Sequence, residues 1–135
     1  MLLLSLAQAP TSSAPVTDQE TAVRRFVDAF NARDIDAMLA AADDGIEWAS
    51  VDGPKVTIET SGKGALRDSM QKYFAQCPSC KSSLEWTKAS GSRVAARERA
   101  SWTSASGPRA QTSLSVYEFR AGKIARVYYF PVERD

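Results

Sequence analysis

The stretch RVAARERASWTS, Arg93 to Ser104, holds one residue that could do chemistry in surroundings that make it unusual. As a strand it places Val94, Ala96, Glu98, Ala100 and Trp102 on one face, and Ala95, Arg97, Arg99, Ser101 and Thr103 on the other. The first face is a row of small or apolar side chains with a single carboxylate in it. Burying that charge unpaired costs several kcal/mol. A carboxyl kept in such a place is therefore a candidate for proton transfer or for anchoring a ligand by hydrogen bonds.

The chain offers little competing chemistry. It contains no histidine, which removes the side chain best suited to proton transfer near neutral pH and the commonest nitrogen ligand for metals. With two cysteines and no histidine, a closed zinc site would need carboxylates to complete it, so no metal is assigned. QCPSC sets Cys77 and Cys80 at C-x-x-C spacing directly after an expected helix. A short-range disulfide is the simplest reading; free thiols and thioredoxin-type redox catalysis, which wants the motif at a helix start, stand behind it. Gly62-Lys63-Gly64 lacks the spacing of a phosphate loop and reads as a flexible helix entry. Asp43-Asp44 reads as solvated, and Asp52, before Gly-Pro, as a turn residue.

The 135 residues suffice for one domain, and 17 basic against 16 acidic side chains leave a net charge of +1. No long basic run supplies the electrostatic footprint of a nucleic-acid binder. MLLLSLAQAPTSSAPV at the N-terminus has a short apolar run and a small-x-small site at Ala7 to Ala9, too short to span a membrane. It reads as a signal-like leader over residues 1–16, with export to the periplasm or beyond as the expectation and a disordered leader as the alternative.

The elements that must position Glu98 follow from periodicity. Thr17 to Glu20 is a capping box that starts a helix with the stripe Val23, Phe26, Val27, Phe30, ending near Ala32. Asp34 caps a second helix carrying Ile35, Met38, Leu39 and Ala42, expected to run to Gly45. IEWAS and KVTIET then form a hairpin through the turn VDGPK. Leu66, Met70, Tyr73 and Phe74 mark a third helix ending before Pro78. SSLEWTKAS, the opening stretch, TSLSVYEF and KIARVYYFPV complete the order α-α-β-β-α-β-β-β-β, an α+β fold.

VRRFVDAFNARDIDAMLAAADDGIEW, together with YEFRAGKIARVYYF, resembles the nuclear transport factor 2-like superfamily and its SnoaL-like group, over about residues 17–132. The resemblance implies a cone-shaped, strongly curved antiparallel sheet wrapped around three helices, with one pocket at the open end and dimerisation through the sheet. Ketosteroid isomerases of this fold carry a Tyr in the first helix, an Asp in the first strand and an Asp on the penultimate strand. Aligned by eye, those positions hold Phe26, Ala49 and Ser115, so that activity is not expected. The histidine-dependent dehydratases of the fold are excluded.

The same register turns Glu98 and Trp102 into the pocket, with Ser113, Ser115, Tyr117, Val127 and Tyr129 from the neighbouring strands and Phe26, Phe30, Met70 and Phe74 from the helices. Tyr129 and Ser115 are then the nearest partners of Glu98. The bland alternative pairs Glu98 with an arginine such as Arg126 or leaves it in water. Glu47 and Trp48 are adjacent, so only one can face inward. Hydropathy selects Trp48; the family register selects Glu47, which would set two carboxylates across the cavity. Arg97 and Arg99 on the outer face are expected to meet Glu118, and Tyr128 and Phe130 to be covered by a second copy of the chain. The functional expectation is a binder of a small apolar or aromatic molecule, or a cofactor-free lyase, isomerase or hydrolase using Glu98. A non-catalytic interaction module with a filled interior is the alternative.

Overall fold

The structure, a computed structural model, describes residues 16–133. The expected leader, Val16 apart, lies outside the described residues.

Helix α1 (Asp18–Asn31) starts at the capping box: the Thr17 hydroxyl accepts from the Glu20 amide at 3.1 Å, and the Glu20 carboxylate accepts from the Thr17 amide at 2.9 Å. Glu20 also accepts from the Thr87 hydroxyl at 2.9 Å, which ties the helix start to a strand distant in sequence. The Thr17 amide, then the Thr87 hydroxyl, hold this carboxyl below its ordinary range. Val23, Phe26 and Val27 of the stripe are buried.

Between α1 and α2 (Ile35–Ala40), Arg33 takes a left-handed conformation with φ of 61°. A non-glycine residue pays strain for that, and the guanidinium shows what offsets it. It donates to the carbonyls of Pro78 at 2.8 Å and Cys80 at 2.7 Å, and lies over the Phe74 ring at 4.5 Å. The interhelical link is thereby clamped to the loop closed by the Cys77–Cys80 disulfide, whose Cα atoms are 5.4 Å apart.

The second helix stops five residues short of Gly45. Strand β1 (Ala42–Asp52) starts at once, because the Ala41 carbonyl accepts from the Ile124 amide at 3.0 Å and Ala42 pairs with Ile124, so the last strand captures the backbone there. Strand β2 (Lys55–Ser61) returns across a turn containing Gly53 at φ 58°. Helix α3 (Lys63–Gln76) follows, then β3 (Lys81–Ser90), β4 (Arg93–Ser104), β5 (Gly107–Arg120) and β6 (Lys123–Tyr129).

The six strands form one curved, unclosed sheet in the order β2-β1-β6-β5-β4-β3. Four ladders are antiparallel, but β1 and β6 run parallel, which corrects the all-antiparallel expectation. A parallel pair needs a long crossover, and here α3 and four strands supply it. The helices pack on the inner face, where Val23, Met38, Leu66, Val94, Ile124 and Val127 are fully buried.

The outer face carries ion pairs. Register sets Arg93 opposite Glu118, at 3.6 Å, while Arg97 reaches Glu133 at 2.8 Å and also pairs with Glu85. The expected contact of Arg97 and Arg99 with Glu118 is therefore replaced by Arg93, the residue that the antiparallel ladder places across from it.

Two outcomes follow from the α1 cap. Thr17→Ala lowers unfolding free energy by about 1 kcal/mol in chemical denaturation. Because Glu20 titrates lower in the folded chain than in the unfolded one, its stabilisation is complete above the unfolded carboxyl's pKa of about 4.3 and is lost as pH falls through the folded value. Glu20→Gln accordingly flattens the acid limb of a stability-against-pH curve.

Candidate functional site

Alternation along β4 buries Val94, Ala96 and Glu98 on the inner face, and Glu98 retains only 5% of its exposure. Register then decides what meets it. Across the β4–β5 ladder Glu98 faces Ser113, and Ser115 pairs with Ala96 on one side and Tyr129 of β6 on the other. On the opposite flank Ser82 of β3 pairs with Ala100.

Four hydroxyls from three strands converge on the carboxylate. Ser115 donates to Oε1 at 2.9 Å, and Tyr117 donates to the same oxygen. Tyr129 donates to Oε2 at 2.9 Å, and Ser82 approaches that oxygen at 3.4 Å. Of about four lone-pair directions on the two oxygens, three are taken by close bonds and the fourth by the long Ser82 contact. Burial, and after it the neighbouring Glu98 charge, pushes the Tyr117 and Tyr129 phenols well above their ordinary range, so both stay protonated and donate. Among the described residues no arginine takes part: Arg126 pairs with Glu47 on the outer face and donates to the Tyr128 hydroxyl at 2.8 Å.

Above this cluster lies a cavity of about 390 Å³. Glu98, Ser113, Tyr117 and Tyr129 line its floor, and Phe26, Phe30, Met70 and Tyr73 its helical side. Trp48, Ser50 and Thr60 come from β1 and β2, and Lys81, Ser82 and Gln111 from the flanking strands. Trp48 stacks on Tyr129 with ring centroids 5.3 Å apart and planes at 23°, and meets Phe26 at 6.2 Å.

Of the residues singled out in the sequence, the structure brings Glu98, Phe26, Phe30, Met70, Ser113, Tyr117 and Tyr129 to one cavity. Ser115 is fully buried behind Glu98 and touches the site only through it. Val127 is fully buried in the core, outside the lining, and three further positions fall elsewhere. Glu47 faces outward to Arg126, because its neighbour Trp48 has the larger apolar surface to bury, so there is no carboxylate pair. Phe74 packs on Phe30 at 5.2 Å beneath Arg33 instead of lining the cavity. Trp102 lies beyond the lining, on the end of β4 that pairs with Arg109.

Ser82 and Tyr73 were missed, although both carried a signal. Ser82 sits two residues before Leu84 on the same strand face, and Tyr73 follows Met70 by one helical step. Among the described residues no group of three acidic or cysteine side chains could hold a metal ion. What the arrangement offers chemically is one buried carboxylate, held in place by hydroxyls, at the base of an aromatic-walled space.

The state of the two phenols is measurable. In an alkaline absorbance titration, Tyr117 and Tyr129 contribute nothing at pH values where an exposed phenol, of pKa about 10, has ionised. Tyr117→Phe leaves the native titration unchanged while lowering stability by roughly 1–3 kcal/mol, since Glu98 loses a buried donor. A native signal that shrinks in the variant contradicts this geometry.

Among curated proteins none matches the chain. Solved structures do. A cystatin-fold protein from Novosphingobium aromaticivorans is 22% identical, with 87% of this chain and 100% of that one covered and a TM-score of 0.73. Bal32a, from a soil-derived mobile gene cassette, is 19% identical over 84% of this chain and 88% of its own, with a TM-score of 0.72. TerC, co-crystallised with polyporic acid, is 17% identical over 84% and 90%, with a TM-score of 0.70. At these identities the likeness is one of fold alone. The SnoaL-like domain model matches residues 23–127, the span from the first buried stripe of α1 to the core of β6, and the chain belongs to the SnoaL-like family of the nuclear transport factor 2-like superfamily.

Proposed function

We propose that the protein binds a small, mostly apolar or aromatic molecule in the cavity around Glu98. The observation that carries this reading is the cavity itself, about 390 Å³, within the range of small-molecule sites and of their usual make-up: apolar walls with a few polar groups at defined places. Phe26, Phe30, Trp48 and Met70 supply the walls, and the Glu98 cluster supplies the polar end. TerC, solved with polyporic acid, has the same fold, which supports the reading by analogy.

In a catalytic form of this reading, Glu98 exchanges a proton with the bound molecule in a cofactor-free lyase, isomerase or hydrolase reaction. Its Oε2 is the accessible atom, because the 3.4 Å contact from Ser82 is the longest of the four and Ser82 itself lines the cavity. The competing reading, an interaction module, called for an interior plugged by aromatic rings, and an open cavity weighs against it. We also read residues 1–16 as an export leader, to which a disulfide at Cys77 and Cys80 is suited, and the outer face near Tyr128 and Phe130 as a homodimer surface.

Native mass spectrometry of protein purified from its own host tests the binding reading: a retained small molecule of defined mass is expected. A second arm uses naphthol as an aromatic probe, followed by quenching of Trp48 fluorescence. Ala100→Trp fills the cavity and is expected to weaken probe binding at least ten-fold. Absence of any retained molecule, combined with no quenching in the wild type, rejects the reading.

A further inference from the structure

The direction of the hydrogen bonds at the cavity floor restricts what can bind there. A phenol or an alcohol has one hydrogen to give. Tyr117, Tyr129, Ser115 and Ser82 all direct theirs at Glu98, and a carboxylate has none of its own. The Glu98 cluster therefore presents oxygen lone pairs and no free hydrogen, and Ser113, opposite Glu98 in the ladder, is the floor hydroxyl that can give or accept. A ligand carbonyl placed against the cluster would face acceptors, and a ligand anion would face a buried negative charge.

The rest of the lining does not reverse this. Ser50, Thr60, Ser113 and Tyr73 carry hydroxyls that either give or accept. The Trp48 indole and the Gln111 amide belong to the walls. Lys81, the cationic side chain of the lining, is exposed, and its ammonium donates to the Asn31 carbonyl at 2.7 Å. Glu59 adds an exposed second carboxylate.

Taking the binding reading above as its basis, we infer that the cavity selects neutral or cationic aromatic molecules bearing an O–H or N–H group, an aromatic alcohol or amine, over ketones, ethers and carboxylates of the same shape. The ring lies against Trp48 and Phe26, and the O–H or N–H points down to the phenol oxygens and to Oε2 of Glu98, displacing the long Ser82 contact. This is the reverse of an oxyanion hole, in which fixed donors receive a carbonyl oxygen.

The test compares naphthol, its methyl ether and methyl naphthyl ketone, which share one ring system, by Trp48 quenching and calorimetry on the wild-type protein. One hydrogen bond to a charged or polarised acceptor corresponds to about ten-fold tighter binding of naphthol. Glu98→Gln brings amide hydrogens to the floor and frees the hydroxyls to turn, so the naphthol advantage falls to within about two-fold and the ketone gains affinity. The wild-type comparison needs no variant and stands even where Glu98→Gln fails to fold. Equal or tighter binding of the ketone or ether in the wild type overturns the donor selectivity while leaving the binding reading intact. Failure of all three to bind overturns the selectivity, and together with the absence of any retained molecule in native mass spectrometry it overturns the binding reading as well.

Discussion

Everything distinctive in this molecule depends on keeping one carboxylate inside a protein. A buried charge without partners costs several kcal/mol, and among the described residues no cation pairs with Glu98. The fold meets that cost with neutral dipoles from β3, β5 and β6, none of them within fifteen residues of Glu98 in sequence. The carboxylate is therefore stabilised only when three strands are in register on either side of β4. A one-residue slip in any of them would turn its hydroxyl to the outer face. Site and sheet are in this sense one structure: the polar cluster rewards the correct pairing, and the pairing makes the cluster tolerable.

The apolar walls rest on the same alternation. Trp48 faces inward because burying an indole is worth more than burying a second carboxylate, and Glu47, thrown outward by that choice, finds Arg126 two strand positions from Tyr128. Its stacking on Tyr129 then joins the aromatic wall to the floor. At the helical side, Phe30 and Phe74 pack together under the Arg33 guanidinium, so that a strained backbone in the α1–α2 link is held by the carbonyls of a loop 45 residues away.

The sequence made the element order and most of the cavity legible because those features follow short-range rules. The capping box at Thr17, the 3.6-residue stripe through Val23 and Phe30, and the two-residue alternation of β4 each involve neighbours whose spacing can be counted. Glu98 stood out for that reason. What stayed hidden depends on partners far along the chain: the early start of β1, set by Ile124; the parallel β1–β6 pairing; the clamp by Arg33; and Ser82, whose role appears only when β3 is laid beside β4. Trp102 and Phe74 show the complementary failure. Period placed each on the proper face, but period carries no information about how far along an element the cavity extends.

The parallel pairing of β1 with β6 joins the first strand of the chain to the last. During synthesis β1 emerges with β2 as its sole partner, and its other edge waits until some seventy further residues have been made. The sheet is consequently split into a short hairpin and a three-stranded remainder until β6 arrives between them. Completion of the domain waits for β6, and a chain cut before Lys123 loses the strand that makes the two pieces one.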